Sequence, residues 1–139
     1  MGFSRTICSL TLLATACSNG DSQDTAVDLF MVAGTAPEHR DVNVLVGQAP
    51  EFRFNATADE TVCDSSQFVF VAMDESGEVA FDIAFDTLFQ DDGNKVLLSH
   101  SAPLLPGYWY AAMSVNADPP CTDIDGRPLE PYGIEFFVP

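Results

Sequence analysis

Hydrophobic and polar positions alternate along most of this chain with a period of two. The clearest stretch is "EVAFDIAFD" (78–86), where Val79, Phe81, Ile83 and Phe85 face one way and Glu78, Asp82 and Asp86 face the other. That is the pattern of a half-buried β-strand. "EFRF" sets Phe52 and Phe54 inward and Glu51 and Arg53 outward, and "VNVLV" puts Val42, Val44 and Val46 on one face. "QFVFVAM" (67–73) is apolar on both faces, as expected of a central strand. "KVLLS", "YWYAAMSV" and "IEFFV" supply three more, and "LFMVA" (29–33) opens the series.

Turn sequences separate these segments: "GTAP", "GQAP", "DESGE", "DDGNK", "LLPG", "DPP" and "DIDGRP". No stretch of ten residues carries a helical stripe. Short strands at this spacing predict an all-β sandwich or barrel in one domain, residues 27–139. With 139 residues, 47% of them hydrophobic and eleven of them Phe, the chain has enough apolar side chain for a real core.

Charge narrows the function. Lys and Arg total 5 against 21 Asp and Glu, a formal charge of −16. A chain so acidic repels phosphate backbones and anionic headgroups, which argues against nucleic acid as a partner.

The first 26 residues differ from the rest. Arg5 makes a short positive region, and Thr6 to Ala16 form an apolar run of eleven residues, too short to span a bilayer as a helix. "ATA" then precedes Cys17, so residues 1–16 are expected to be a signal peptide. The small residues before a cysteine resemble a bacterial lipobox, with Ala14 in the place that usually holds Leu. On that resemblance Cys17 becomes the lipidated (palmitate-bearing) mature N-terminus. Met1 to Thr6 also fit an N-myristoylation pattern, but the apolar run behind them fits export better. Should Cys63 and Cys121 pair, Cys17 would be a lone thiol in an oxidising compartment, and lipidation accounts for it. "SNGDSQDTA" (18–26) is a polar tether. Ser18 after the cysteine fits the sorting rule for outer-membrane delivery.

Three stretches in order resemble bacterial Ig-like domains of the S-layer-associated (SbsA Ig-like) group. "TAPEHRDVNVLVGQAPEFRFNATAD" is similar to their opening, "LLSHSAPLLPGYWYAAMSV" to their middle and "DIDGRPLEPYGIEFFVP" to their end. Arg127 stands where that group usually has Asn, and Asn55 replaces a common Ser. The resemblance implies an Ig-like β-sandwich of about seven strands with Greek-key connections, and a scaffold rather than a shared active site. With "EFRF" and the last two strands as B, F and G of such a sandwich, Cys63 and Cys121 fall in loops at one end. A bridge between them is then reasonable, closing a loop of about 58 residues.

Catalytic signatures are missing: no G-x-S-x-G, H-E-x-x-H, Walker loop or dinucleotide fingerprint. The carboxylate pairs at Asp59–Glu60, Asp74–Glu75 and Asp91–Asp92 are expected to be solvated turns. "DIDGRP" places Asp123 and Asp125 like half a calcium loop, and Asp118, with Asp59 or Asp64, could complete an oxygen cluster. Tyr108, Trp109 and Tyr110 could supply a corner tyrosine, core packing or a sugar-stacking platform. Copper binding, as in periplasmic copper-resistance sandwiches, needs clustered His and Met, whereas Met31, His39 and His100 stand singly. The expectation is a non-enzymatic lipoprotein module, anchored through lipid and meeting an envelope protein or polysaccharide. A calcium or carbohydrate binder is the alternative, and a copper-binding protein a remoter one.

Overall fold

The computed structural model describes residues 29–139. The expected signal peptide, Cys17 and the whole of the tether lie outside the described residues. Eight strands form two antiparallel four-stranded sheets. They are β1 (Val32–Ala36), β2 (Glu51–Phe54), β3 (Phe68–Met73), β4 (Val79–Asp82), β5 (Asp86–Gln90), β6 (Lys95–Ser99), β7 (Tyr108–Ser114) and β8 (Gly133–Val138). One sheet has the order β1-β2-β6-β5 and the other β4-β3-β7-β8. The chain crosses between sheets after β2, β4 and β6, which is the sandwich expected from the alternation.

Apolar side chains meet between the sheets because each strand turns every second residue inward. Phe52 and Phe54 from β2, Val96 and Leu98 from β6, Phe68, Phe70 and Ala72 from β3, Tyr110 and Ala112 from β7, and Ile134, Phe136 and Val138 from β8 are all buried. Phe70 sits at the centre. Its ring lies 5.8–6.3 Å from those of His100, Tyr110, Phe136 and Phe85. Tyr110 stacks on Phe136 at 5.7 Å, and its hydroxyl donates to Leu105 O while accepting from Leu105 N, both at 2.8 Å. That is the corner tyrosine of Ig-like sandwiches.

Two expected strands take another form. "EVAFDIAFD" is not one strand. Residues 79–82 pair with β3, Ile83 N donates to Phe70 O, and from Asp86 the chain pairs with β6 in the other sheet. Phe81, Ile83 and Phe85 keep facing the core throughout. Both sheets share that core, so alternation continues across the switch and cannot mark it. "VNVLV" is not a strand either. Arg40 N donates to Glu135 O, Phe137 N to Asp41 O and Val44 N to Phe137 O, so the segment straps the β8 edge. Only Val44 is buried, while Val42 and Val46 are exposed. The opening segment is also displaced: β1 begins at Val32, and Phe30 makes a separate parallel bridge to Leu129.

Candidate functional site

Two regions held the candidate chemistry: the loop pole carrying the cysteines, and the outer face of the β4-β3-β7-β8 sheet.

At the loop pole, Cys63 follows β2 and Cys121 precedes β8, and they form a disulfide with Cα atoms 4.4 Å apart. Backbone bonds zip the two loops together. Asp59 N donates to Thr122 O at 2.9 Å and Ile124 N to Thr57 O at 3.0 Å. Gln67, almost fully buried, donates from Nε2 to Val62 O and Pro119 O and accepts from Asp64 N through Oε1. Sequence reasoning placed Gln67 at the start of an apolar strand and missed this role; the Asp64-x-x-Gln67 spacing of a capping box was the signal. Close packing also decides Gly93, whose φ is +87° and where a Cβ would come within 2.9 Å of Ala58 O.

The carboxylates of this pole are engaged within their own turns. Asp59 accepts from Thr61 N and Oγ1, and Asp64 from Ser66 N and Oγ. Asp118 is exposed beside Pro119. Asp123, half of the calcium-like loop, is buried at 1% exposure. It accepts from Asp125 N, Arg127 N and Arg127 Nε, the last at 2.8 Å, and Asp125 lies 3.6 Å from the same guanidinium. Arg127, noted as a departure from the Ig-like pattern, is therefore the counter-ion of the buried Asp123. Among the described residues, no three His, Cys, Asp or Glu side chains gather as metal ligands. Asp59, Asp64, Asp118, Asp123 and Asp125 are not brought into one cluster.

Burial by itself would raise the Asp123 pKa. The hydrogen bonds from Arg127 and Asp125, with the Arg127 charge, outweigh it and hold the carboxyl below its ordinary 3.8. A depressed folded pKa means that the unfolded chain binds more protons in acid. The stability from Asp123 is thus complete above about pH 4 and is lost as pH falls through the folded value. Asp64 and Asp74 are lowered too, each chiefly by the hydroxyl two residues on, Ser66 and Ser76. Thermal unfolding followed from pH 7 to pH 2 is expected to show a falling midpoint below about pH 4. In Asp123→Asn the midpoint at pH 7 drops and the acid-dependent fall becomes shallower. An unchanged pH profile would show that the carboxylate contributes nothing.

The second region is built by outward-facing residues. Cross-strand partners set Val69 beside Met113, Val71 beside Ala111, and Met73 beside Trp109, which in turn adjoins Phe137. The result is an apolar sheet face with Asp82 beside Val71 on one flank and Glu135 beside Ala111 on the other. Trp109 lies 5.5 Å from Phe137, ring centre to ring centre. The Arg40 guanidinium sits 4.1 Å from the Trp109 ring centre and bonds the Glu135 carboxylate at 2.9 Å. The β3–β4 turn overhangs Trp109, leaving a cleft of about 690 Å³ lined by Met73, Asp74, Glu75, Tyr108 and Trp109. Of the three aromatics considered for a platform, Tyr110 is core, Tyr108 packs edge-on against Phe81 at 5.3 Å, and Trp109 alone belongs to the outer face. Sequence reasoning did not find Arg40, which arrives from the strap.

The histidines serve structure. His39 Nδ1 accepts from Glu135 N at 3.1 Å. The His100 ring nitrogens lie 2.7 and 2.9 Å from Ala102 O and Gln48 O, and its ring packs against Phe70. His100 is thus a packed residue.

No family model matches the chain, and no curated protein matches it by sequence. Solved structures do match. "Structure of surface layer protein SbsC, domains 1-6" aligns with a TM-score of 0.57 and 12% identity, covering 81% of this chain and 14% of that one. The N-terminal part of the bacterial S-layer protein SbsC aligns at 0.55 and 12%, covering 82% and 24%. CopC from Methylosinus trichosporium OB3b aligns at 0.49 and 14%, covering 78% and 92%. The chain spans only 14–24% of the length of the S-layer chains. At such identities the likeness is one of fold: this sandwich is similar to domains of an S-layer protein.

Proposed function

We propose that this chain is a non-enzymatic module of the bacterial envelope, held at a membrane by lipid on Cys17, and that it works as an Ig-like structural or interaction unit. One observation carries the reading: the chain joins the sandwich at one pole, where it is fastened. Asn55 donates from Nδ2 to Leu29 O and accepts from Met31 N, and Glu130 N donates to Phe30 O. Phe30 is fully buried against Phe54. Residues 18–28 would thus lead from an anchor to a body gripped from its first apolar residue, an arrangement suited to presenting a domain near a surface. At full extension the twelve residue-to-residue steps from Cys17 to Leu29 span at most about 40 Å. The sandwich fold shared with S-layer protein domains supports the same reading. The unit performs no chemistry of its own; its partner is an envelope protein or polysaccharide, and the outer membrane is its expected address.

Intact-mass analysis of the protein from a bacterial host tests the anchor. The expected product begins at Cys17 and carries acyl mass, and Cys17→Ser moves the protein from the membrane to the soluble fraction. A mature chain with Cys17 unmodified would overturn the reading.

A further inference from the structure

The Trp109 cleft lies at the pole opposite the fastened N-terminal segment. β1 runs antiparallel to β2 with Val32 opposite Phe54, so residues 29–31 sit by the loop that leaves β2. The β3–β4 turn and the start of β7 are at the other end of the strands, about 20 Å away along the sheet. On the proposed anchoring, which this inference builds on, that pole faces away from the membrane.

Charge in this pole is unbalanced. The four Lys and Arg side chains among the described residues are committed: Arg40 to Glu135, Arg53 to Glu51, Lys95 to Glu51 and Asp91, and Arg127 to Asp123 and Asp125. None of these ion pairs involves Asp74, Glu75, Glu78 or Asp82, all exposed along the turn and flank beside the apolar face. The protein itself displays what such a surface accepts, because Arg40 lies on Trp109 with its charge on a carboxylate. A cation over an indole is attracted by the negative face of the ring, more strongly when water is excluded.

We propose that the Trp109 cleft, with Glu75 at its mouth, docks a basic segment of a protein partner, taking a Lys or Arg side chain between the indole and the carboxylates and neighbouring apolar side chains on Met73. The carboxylates steer the approach of the segment, and the aromatic and thioether surface holds it.

Trp109 is the single tryptophan of the chain, so its emission reports on this cleft alone. The probe is a short capped peptide of alternating Arg and Leu, titrated into the mature protein. The expected result is a saturable change in emission, weakened by added salt and absent with the Glu–Leu peptide. Glu75→Lys, a change at an exposed turn, is expected to weaken binding by about tenfold. No saturable change with the basic peptide overturns the proposal, as does an affinity unaltered in Glu75→Lys. Saturation by linear N-acetylglucosamine oligomers in place of the peptide also overturns it, in favour of sugar stacking. Failure here is distinguishable from failure of the anchor, which the mass of the mature N-terminus decides independently.

Discussion

Replacing Cys63 and Cys121 together by Ala is expected to destabilise the domain by about 4 kcal/mol. The bridge closes a loop of 58 residues, and on the chain-entropy model a cross-link of that span removes about this much freedom from the unfolded chain. The fold is expected to survive, because backbone bonds between the same loops and the buried Gln67 remain. Loss of the sulfur atoms, both buried, adds a smaller packing term. Urea unfolding checks this. The midpoint should fall and the slope should rise, since an uncrosslinked unfolded chain exposes more surface. A midpoint within error of the parent would mean that the zipped loops alone set the stability of this pole.

Phe70→Ala is the second large effect, expected at about 3–5 kcal/mol. Phe70 stands where the two sheets and the β4–β5 crossing meet, with four ring neighbours and 2% exposure. The ring cannot be replaced by relaxation from one side. Tyr110 is held by its bonds to Leu105, Phe136 by the β7–β8 ladder, and His100 by Ala102 and Gln48. A cavity therefore remains, and its cost adds to the lost burial. For a domain of this size the thermal midpoint should drop by roughly 10–20 °C. Phe70→Leu, which keeps most of the volume, should cost far less. Equal losses in both variants would show that the site collapses around the smaller side chain.

The two predictions draw on different parts of what the chain encodes. Phe70 is legible in the sequence: "QFVFVAM" is apolar on both faces, bounded by polar turns, and belongs in the middle of a sheet. The same holds for β2, β6 and β8, whose alternation matches their buried faces. Periodicity succeeds there because inward positions must recur every second residue in any sandwich. The Cys63–Cys121 pairing was reached only through the Ig-like resemblance, because two cysteines 58 residues apart carry no distance information by themselves.

Elsewhere local pattern and tertiary context part company. "VNVLV" has the valines of a strand, yet it meets β8 only through a few bonds and leaves Leu45 73% exposed. β-propensity describes a fit to a half-buried pleat, and in this segment only Val44 reaches the core. "DIDGRP" has the letters of an oxygen-ligand loop, but Arg127 folds back and takes the buried carboxylate. Nothing in the order of residues says whether a carboxylate will find a cation from its own turn or from outside.

The all-β class, most strand positions, the turn sites and the large acidic excess follow from near-neighbour chemistry along the chain. The point where the chain changes sheets, the burial of Asp123 on Arg127 and the seating of Arg40 from the strap on Trp109 from β7 emerge in the folded molecule alone. Asp123 and Arg127 meet within one turn, Arg40 and Trp109 only across the closed sandwich, and the energy of both contacts comes from excluded water and fixed geometry, which no local pattern records.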